Sequence, residues 1–407
     1  MSKIRSLLDR LVLPALGLGL ATCTLVPYLI GIGTPGFGVL KTALLVISLG
    51  LLFVNFIFPI RPLTALETLI VNSKVGWQEI LLLGFSVVLT GLMADTLLRF
   101  ILPPTYGQTK YGWTVPANKF KLKTIEDTTG QFREITVRYF QNGFKRWGNP
   151  NTDKRKLFVI GDSFTEMPYV SNGEEWYSYF ENQVSNIELF VFGGGGYGSL
   201  QEYMVFDDYI DSIKPDVMLW QFCGNDYSNN FYDWDLSGYP FNNHMVRPYL
   251  EEDRIVYRLP LPYAKFREYS FIADRLLKEY DGLMWRRTTQ DLSAYLRSTT
   301  ELHAASEKLF KEKAYHVTLK IMKKVKERAK EIPIYLLNTC NNPSEHEYKI
   351  CSETGITCFP GLAKYMDEKR DGREIRVPND GHWNKLGNQL AGERLIRIFR
   401  DLDIVKE

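Results

Sequence analysis

The second half of the chain alternates short apolar runs with longer amphipathic segments, and this alternation limits the possible fold more than any other feature. Buried strands are predicted at residues 156–161, 187–192, 216–223, 333–339 and 356–359. Helices are predicted at residues 174–184, 199–212, 303–331 and 385–402. Strands that alternate with helices predict an α/β fold, in which a parallel sheet has helices on both faces.

Three of these strands run directly into glycine-containing turns. Ser163 follows the first strand in a Gly-Asp-Ser turn, Gly196 ends a run of four glycines after the second, and Asn225 follows the third in Gly-Asn-Asp. Open parallel sheets hold their ligands at the carboxyl ends of the strands, so these residues are expected to face a common site. Taken alone, Gly-Asp-Ser also fits an ordinary helix N-cap.

His382 is the histidine best placed to activate Ser163. A serine hydroxyl becomes a nucleophile when a base takes its proton, and the base needs an orienting acid. His382 has such an acid two residues away, Asp380, in a turn-rich stretch before the last predicted helix. The remaining histidines lie in helical, polar loop or irregular patterns: His244, His303, His316 and His346.

The same strand-end turns offer donors for an oxyanion. The tetrahedral intermediate of acyl transfer carries a negative oxygen that preorganised N–H groups stabilise. Glycine leaves the backbone N–H open to such an oxygen, so Gly196 is a candidate donor. The side-chain amide of Asn225 is a second candidate.

These four segments resemble the SGNH hydrolase family, also called the GDSL type. The blocks of that family correspond to the turns of Ser163, Gly196 and Asn225 and to His382, over residues 155–402. The resemblance implies a three-layer, flavodoxin-like domain. It also implies that Ser163 is the nucleophile and that the Ser163 N–H, the Gly196 N–H and the Asn225 amide form the oxyanion hole.

The last block departs from the usual family pattern. Asp-x-x-His would place the acid at position 379, but the chain has Asn379 there and Asp380 one residue nearer to His382. Asp-x-His-Trp, completed here by Trp383, is similar to branches that modify polysaccharides. A Ser-His-Asp triad is therefore expected, with a Ser-His dyad oriented by a backbone carbonyl as the alternative.

The first hundred residues predict membrane-spanning helices. Residues 11–31 and 42–60 are apolar and carry no charge, and residues 80–102 are apolar except for Asp95 and Arg99. Each run approaches the roughly 20 residues that cross a hydrocarbon core. A cleaved signal peptide is the alternative for the first run, but that run is long for a signal core and further spans follow it.

The distribution of positive charge predicts how these spans are oriented. Lys3, Arg5 and Arg10 precede the first run, which places the amino terminus in the cytoplasm. Three crossings then place the rest of the chain on the extracytoplasmic side of the cytoplasmic membrane. The lipid bilayer is therefore an expected partner.

Three regions follow from these patterns. They are a membrane anchor at residues 1–104, an extended linker that packs on the catalytic domain at 105–155, and the hydrolase domain at 156–407. A cap insertion is predicted at about 228–300. Its aromatic residues could stack on sugar rings or pack against the domain: Tyr232, Trp234 and Tyr239.

Charge and cysteine content narrow the partners and the compartment. The chain carries a net charge of +2, and residues 105–407 are close to neutral, which argues against nucleic acid as a partner. Cys340, Cys351 and Cys358 cluster, and a disulfide between two of them fits an oxidising compartment without fixing the pair. The sequence predicts no cofactor and no metal site.

The leading functional prediction is an anchored serine esterase or acyltransferase. Its expected substrate is an acylated glycan of the cell envelope. A lipid esterase or lysophospholipase is the first alternative, since the bilayer is close. A non-catalytic subunit that docks on a membrane acyltransferase is the second.

Overall fold

A computed structural model of the chain describes most residues beyond position 106. The described residues are 91–93, 95–98, 107–115, 120–126, 132–184, 186–237, 246–258, 270–273, 300–339, 343–359, 361–378 and 380–404. The chain divides into two units, Met1–Leu97 and Leu98–Glu407. The three predicted spans lie outside the described residues, apart from the helical residues 91–93 and 95–98. Within the described ranges, no helix combines the length and the apolarity that a membrane crossing requires.

Twelve strands and nine α-helices are assigned in the described part of the domain. The strands are β1 Gly107–Thr109, β2 Gly112–Thr114, β3 Phe120–Glu126, β4 Phe132–Arg138, β5 Phe144–Trp147, β6 Arg155–Gly161, β7 Ile187–Gly193, β8 Val217–Phe222, β9 Arg247–Glu251, β10 Arg254–Arg258, β11 Ile334–Asn338 and β12 Thr357–Cys358. The helices are α1 Ser163–Glu166, α2 Ser178–Gln183, α3 Ser199–Ile213, α4 Asn225–Asn230, α5 Tyr232–Ser237, α6 Thr300–Ala329, α7 Glu345–Thr354, α8 Ala363–Lys369 and α9 Lys385–Asp401.

Six strands form one mostly parallel sheet in the order β12-β11-β8-β6-β7-β5. Strands β6, β7, β8, β11 and β12 run parallel, whereas β5 is antiparallel to β7. The order of the five parallel strands is that of the flavodoxin-like fold. The chain first moves from β6 to β7 and then returns to β8 on the opposite side of β6. The carboxyl end of β6 is therefore the point at which the strand order reverses, and Ser163 follows directly after it.

The two faces of the sheet bury two separate apolar cores, which explains the three layers. Phe158 and Ile160 of β6 pack in one core with residues of α3 and α6. Leu157 and Val159 point to the opposite face and pack in a second core with residues of α9. Side chains alternate between the faces of a strand, so a β6 that is apolar at every position must be covered on both sides. The predicted α/β/α architecture is confirmed.

Residues 105–155 differ from the predicted extended linker. Their described parts form the antiparallel pairs β1–β2 and β3–β4, and β5 joins the six-stranded sheet. Trp113 and Phe144 are almost completely buried in the first core. Strand β5 covers the open edge of β7, which removes unpaired backbone groups from the surface. Strands β1 and β2 have only three residues each, which is too few to show the alternation of apolar and polar residues that predicts a strand.

The predicted cap is described only in part. Residues 238–245, 259–269 and 274–299 lie outside the described residues, and Tyr239 is among them. The described part forms α4, α5 and the β9–β10 hairpin. Trp234 packs against the first core, and the Tyr232 ring contacts Tyr249. Of the two roles predicted for these aromatic residues, packing against the domain is the one these contacts favour.

The cysteines form disulfides that the sequence leaves open. Cys351 of α7 and Cys358 of β12 are bonded, with their Cα atoms 5.8 Å apart. Cys223, at the end of β8, is also disulfide-bonded. Cys340 lies outside the described residues. The predicted bond within the cluster is therefore present, and Cys223 is an additional bonded cysteine that the sequence analysis missed.

Candidate active site

The turn after β6 places Ser163 at an accessible position on a buried support. Ser163 is the first residue of α1 and is half-buried. Asp162 caps this short helix by accepting a hydrogen bond from the Phe164 N–H at 2.8 Å. The buried side chain of Gln221 in β8 accepts from the Asp162 N–H at 2.9 Å. Residues 161–163, called here the nucleophile turn, are thus fixed to strand β8 as well as to helix α1.

Ser163, His382 and Asp380 form one hydrogen-bonded chain. The Nε2 atom of His382 lies 2.6 Å from the Oγ atom of Ser163. Its Nδ1 atom hydrogen-bonds Oδ1 of Asp380, and the His382 backbone N–H donates to the same oxygen at 2.9 Å. A carboxylate, not a backbone carbonyl, therefore faces Nδ1. This is the arrangement in which an imidazole can take a serine proton while an acid holds its tautomer.

Backbone contacts fold the loop of His382 into a tight turn. The N–H of Asp380 donates to the Val377 carbonyl at 3.1 Å, and the N–H of Val377 donates to the His382 carbonyl at 2.9 Å. Trp383, next to the histidine, is almost fully buried in the second core. The loop therefore turns His382 toward Ser163 while Trp383 anchors it to the domain.

Two aromatic rings and a hydroxyl complete the surroundings of the imidazole. The rings of Phe164 and Tyr169 lie 4.9 and 5.1 Å from the His382 ring, centroid to centroid. The Tyr169 hydroxyl hydrogen-bonds Asp380. Although burial opposes the charged form, hydrogen bonds from His382 and Tyr169 hold the pKa of Asp380 well below its usual range. Asp380 therefore stays ionised and can orient His382.

The glycine run after β7 passes close to the nucleophile turn. The Gly194 N–H donates to the Gly161 carbonyl at 2.9 Å, which joins the ends of β7 and β6. A Cβ on Gly193 would lie 2.0 Å from the backbone nitrogen of Glu166 in α1, so only glycine fits there. Gly196 has a φ of 74°, a left-handed conformation that glycine adopts without strain.

Two backbone N–H groups of the predicted oxyanion hole are available. Within the part of the chain that the structure describes, the N–H groups of Ser163 and Gly196 have no hydrogen-bond acceptor. Both residues are half-buried, as are Asn225 and His382. All four residues are therefore partly exposed to solvent, while the residues that hold them are buried.

Asn225 is held by the nucleophile turn itself. Its Nδ2 atom donates to Oδ2 of Asp162 at 3.2 Å. A side-chain amide carries two N–H donors, so this bond occupies one and leaves the other for a substrate oxygen. Burial raises the pKa of Asp162, while the hydrogen bonds from Phe164 and Asn225 oppose that shift.

Asp226 ties the loop of Asn225 to the helix after the glycine run. It accepts hydrogen bonds from the Cys223 N–H at 2.8 Å and from the Ser199 hydroxyl at 3.0 Å. Ser199 is the first residue of α3. The buried carboxyl of Asp226 thus connects the turn after β8 to the start of α3, which follows the glycine run.

The sequence predicted five candidate site residues but not the residues that support them. The structure brings together Ser163, His382 and Asp380, and it connects Asn225 to the same turn. Tyr169 and Trp113 were not singled out, because nothing in the local pattern distinguishes them from ordinary aromatic residues. His346, predicted in a polar loop, lies in α7.

Comparison with known proteins identifies a family. The family model described as GDSL-like lipase/acylhydrolase matches residues 157–395, more than half of the chain. A comparison of the sequence with curated proteins found no match.

Several solved structures resemble this chain. A psychrotrophic esterase EstA from Pseudoalteromonas sp. shares 13% identity, covers 61% of this chain and 100% of its own, with a TM-score of 0.34. A family 3 carbohydrate esterase from Clostridium thermocellum shares 13% identity over 61% and 99%, with a TM-score of 0.32. A member of the lipolytic protein G-D-S-L family from Veillonella parvula shares 11% over 60% and 98%, with a TM-score of 0.32.

The family match begins within β6 and ends within α9, and so includes Ser163, Gly196, Asn225 and His382. The chain belongs to the GDSL-like lipase/acylhydrolase family.

Proposed function

We propose that the protein is a membrane-anchored serine esterase that removes or transfers an acyl group on a glycan outside the cytoplasmic membrane. The observation that carries the catalytic part is the hydrogen-bonded chain from Ser163 Oγ through His382 to Asp380. A subunit that only binds does not require a nucleophile, a base and an ionised acid joined by hydrogen bonds. The geometry therefore favours an enzyme over a non-catalytic assembly subunit.

The reaction follows from the positions of these groups. The Oγ atom of Ser163 attacks the ester carbonyl while Nε2 of His382 takes its proton. The charge that develops on the carbonyl oxygen is held by the N–H groups of Ser163 and Gly196 and by the free N–H of Asn225. His382 then gives the proton to the leaving alcohol, and an acyl-enzyme remains on Ser163.

Water or a sugar hydroxyl can accept the acyl group from this intermediate. Either acceptor loses its proton to His382 as it attacks the acyl carbon, and Ser163 is regenerated. The same residues serve both outcomes, so the acceptor that reaches Ser163 decides between hydrolysis and transfer.

The disulfides support the extracytoplasmic location. Cys351 and Cys358 are bonded, and Cys223 is bonded as well. Structural disulfides persist in oxidising compartments and are rare in the cytosol. Together with the predicted spans in residues 1–104, they favour a domain held on the outer side of the membrane.

The preference for a glycan comes from the Asp-x-His-Trp form of the last block, Asp380 to Trp383. The chemistry it predicts is release of small acyl groups, such as acetate, from a polysaccharide. A lipid esterase would instead prefer long acyl chains and lysophospholipids.

The test uses the full-length chain purified in detergent. We expect it to hydrolyse p-nitrophenyl acetate and to release acetate from an acetylated polysaccharide, with Ser163→Ala inactive. Ser352→Ala, an exposed serine of α7, is the matched control and should keep full activity. Equal activity of Ser163→Ala and the wild type would exclude this serine as the nucleophile. A strong preference for a long-chain ester over the acetyl ester would contradict the glycan assignment.

The membrane assignment has its own test. The full-length chain should stay with the membrane pellet after an alkaline carbonate wash, and protease added outside spheroplasts should digest residues 105–407. Release by the wash would contradict the anchor. Protection from the protease would contradict the predicted orientation.

A further inference from the structure

Each peptide group in the glycine run is held by a different partner. The N–H of Gly194 donates to Gly161, as described above. The carbonyl of Gly194 accepts a hydrogen bond from the Tyr197 N–H at 2.9 Å. The carbonyl of Gly195 accepts one from the indole Nε1–H of Trp113 at 3.0 Å. The following N–H, that of Gly196, is the predicted oxyanion donor. Trp113 thus binds the carbonyl of the peptide group that carries this donor.

Peptide geometry connects the two ends of this group. The Gly195 carbonyl and the Gly196 N–H belong to one planar trans unit and point in opposite directions. Fixing the direction of the carbonyl therefore fixes the direction of the N–H. A hydrogen bond on the carbonyl also polarises the unit and makes its N–H a better donor.

The other side of Gly196 is fixed as well. Its carbonyl accepts hydrogen bonds from Nη1 of Arg247 at 2.8 Å and from Nδ2 of Asn229 at 3.2 Å. Arg247 is 3% exposed and pairs with Asp235 at 3.2 Å. Glycine has the widest conformational freedom of any residue, so a donor at Gly196 needs such external constraints to hold one direction.

Trp113 is itself immobilised. Its side chain is almost completely buried, and its carbonyl accepts a hydrogen bond from the Tyr197 hydroxyl. The Tyr197 ring meets the indole edge-on at 5.5 Å between centroids. The Arg247 guanidinium lies over the indole, 4.9 Å from the ring centroid. These contacts fix the orientation of the indole ring, and its N–H points to the Gly195 carbonyl.

We infer that Trp113 is a positioning residue of the oxyanion hole, which aims the Gly196 N–H at the substrate oxygen through the Gly195 carbonyl. This inference rests on the proposed function. Trp113 belongs to β2, outside the matched residues 157–395. A hairpin that precedes the hydrolase domain thereby completes its active site.

The experiment compares Trp113→Phe with the matched control Tyr111→Phe in the full-length chain. Tyr111 lies in the same hairpin, and its partly buried hydroxyl hydrogen-bonds Asp208 of α3. With p-nitrophenyl acetate, Trp113→Phe should lower kcat about tenfold, less than the loss of a whole donor, with KM within about twofold. The rate of inactivation by a fluorophosphonate should fall in parallel, because the phosphonyl oxygen occupies the same hole. Tyr111→Phe should stay within about twofold of the wild type.

A purely structural role predicts a different pattern. It would lower kcat in both variants in proportion to their loss of thermal stability, or change KM and kcat together, and either result would overturn the inference. If Trp113→Phe fails to fold, replacement of Trp113 by benzothienylalanine removes only the indole N–H and should give the same tenfold loss. Unchanged kcat there would also overturn it.

Turnover by the wild type separates failure of this inference from failure of the proposed function. Ser163-dependent turnover with an unaffected Trp113→Phe refutes only the role of Trp113. Absence of Ser163-dependent turnover in the wild type refutes the proposed function and this inference with it.

Discussion

The two sides of the candidate site are organised in different ways. On the base side, Asp380 orients His382 from two residues away in the sequence. On the oxyanion side, Gly195 and Gly196 are held by residues 82 and 51 positions away, Trp113 and Arg247. The base is therefore oriented by its own loop, whereas the oxyanion donors depend on contacts between distant segments. Local spacing can reveal the first kind of organisation but not the second.

The largest expected effect is on the base side, at the imidazole. His382→Gln keeps a polar side chain but cannot accept the Ser163 proton, so kcat for p-nitrophenyl acetate should fall by about 10⁴- to 10⁶-fold. His316→Gln, on the outer part of α6, is the matched control and should be fully active. A loss below tenfold in His382→Gln would show that another group acts as the base.

Replacement of the acid should have the next largest effect. Asp380→Asn leaves the shape of the loop but can select the wrong tautomer of His382, and kcat should fall by about 10²- to 10⁴-fold. The double variant with His382→Gln should be no slower than His382→Gln alone, because both residues act as one unit. A Ser-His dyad predicts instead that Asp380→Asn is nearly as active as the wild type.

The oxyanion side should contribute less per residue. Asn225→Ala removes one donor and should lower kcat by about 10²- to 10³-fold, with little change in KM. Combined with Asp380→Asn, its effect should multiply, because the two sides stabilise different charges in the transition state. Ser352→Ala, the exposed serine of α7, is again the control and should behave like the wild type. A double variant no slower than Asp380→Asn would contradict the separation of the two sides.

The smallest expected effect is on stability and depends on pH. The pKa of Asp380 is depressed in the folded protein, so its ionised form adds stability above the ordinary carboxyl pKa, and this stability is lost as pH falls. Tyr169→Phe removes one of the responsible hydrogen bonds and should cost about 1 kcal/mol of unfolding free energy at pH 7.

Urea unfolding of Tyr169→Phe and the wild type measures this difference across pH. Both proteins share the same unfolded state, so the difference should persist while Asp380 stays ionised in both folded proteins and should shrink only as pH falls toward the depressed pKa of the folded carboxyl. Tyr179→Phe, a partly buried tyrosine without a bond to Asp380, should show no such closure. A pKa of Asp380, followed by NMR of its carboxyl carbon, that is the same in Tyr169→Phe and the wild type would mean that the Tyr169 hydroxyl does not act through Asp380.

The parts of the fold that the sequence predicts are those with a clear period. The buried runs from Lys156 and Ile187 became β6 and β7 within one residue of their expected ends, because strands covered on both faces are apolar throughout. Helix α9 was expected at 385–402 and spans Lys385–Asp401. Strands β1 to β5 were not predicted, because short edge and hairpin strands take their stability from partners distant in the sequence.

The same limit applies to the site. Asp380 and His382 stand out because a base and its acid can be adjacent in one loop. Trp113 and Tyr169 do not stand out, since their roles arise only when the fold brings them to Gly195 and Asp380. The supporting residues of an active site therefore require the structure.

The most direct test of Ser163 as the nucleophile is to locate the covalent adduct that a fluorophosphonate forms on the full-length chain. Peptide mapping by mass spectrometry should find one phosphonyl group, on the peptide that contains Ser163, and formation of this adduct should require His382. An adduct at a different serine, or none on a folded protein that still hydrolyses p-nitrophenyl acetate, would contradict the account.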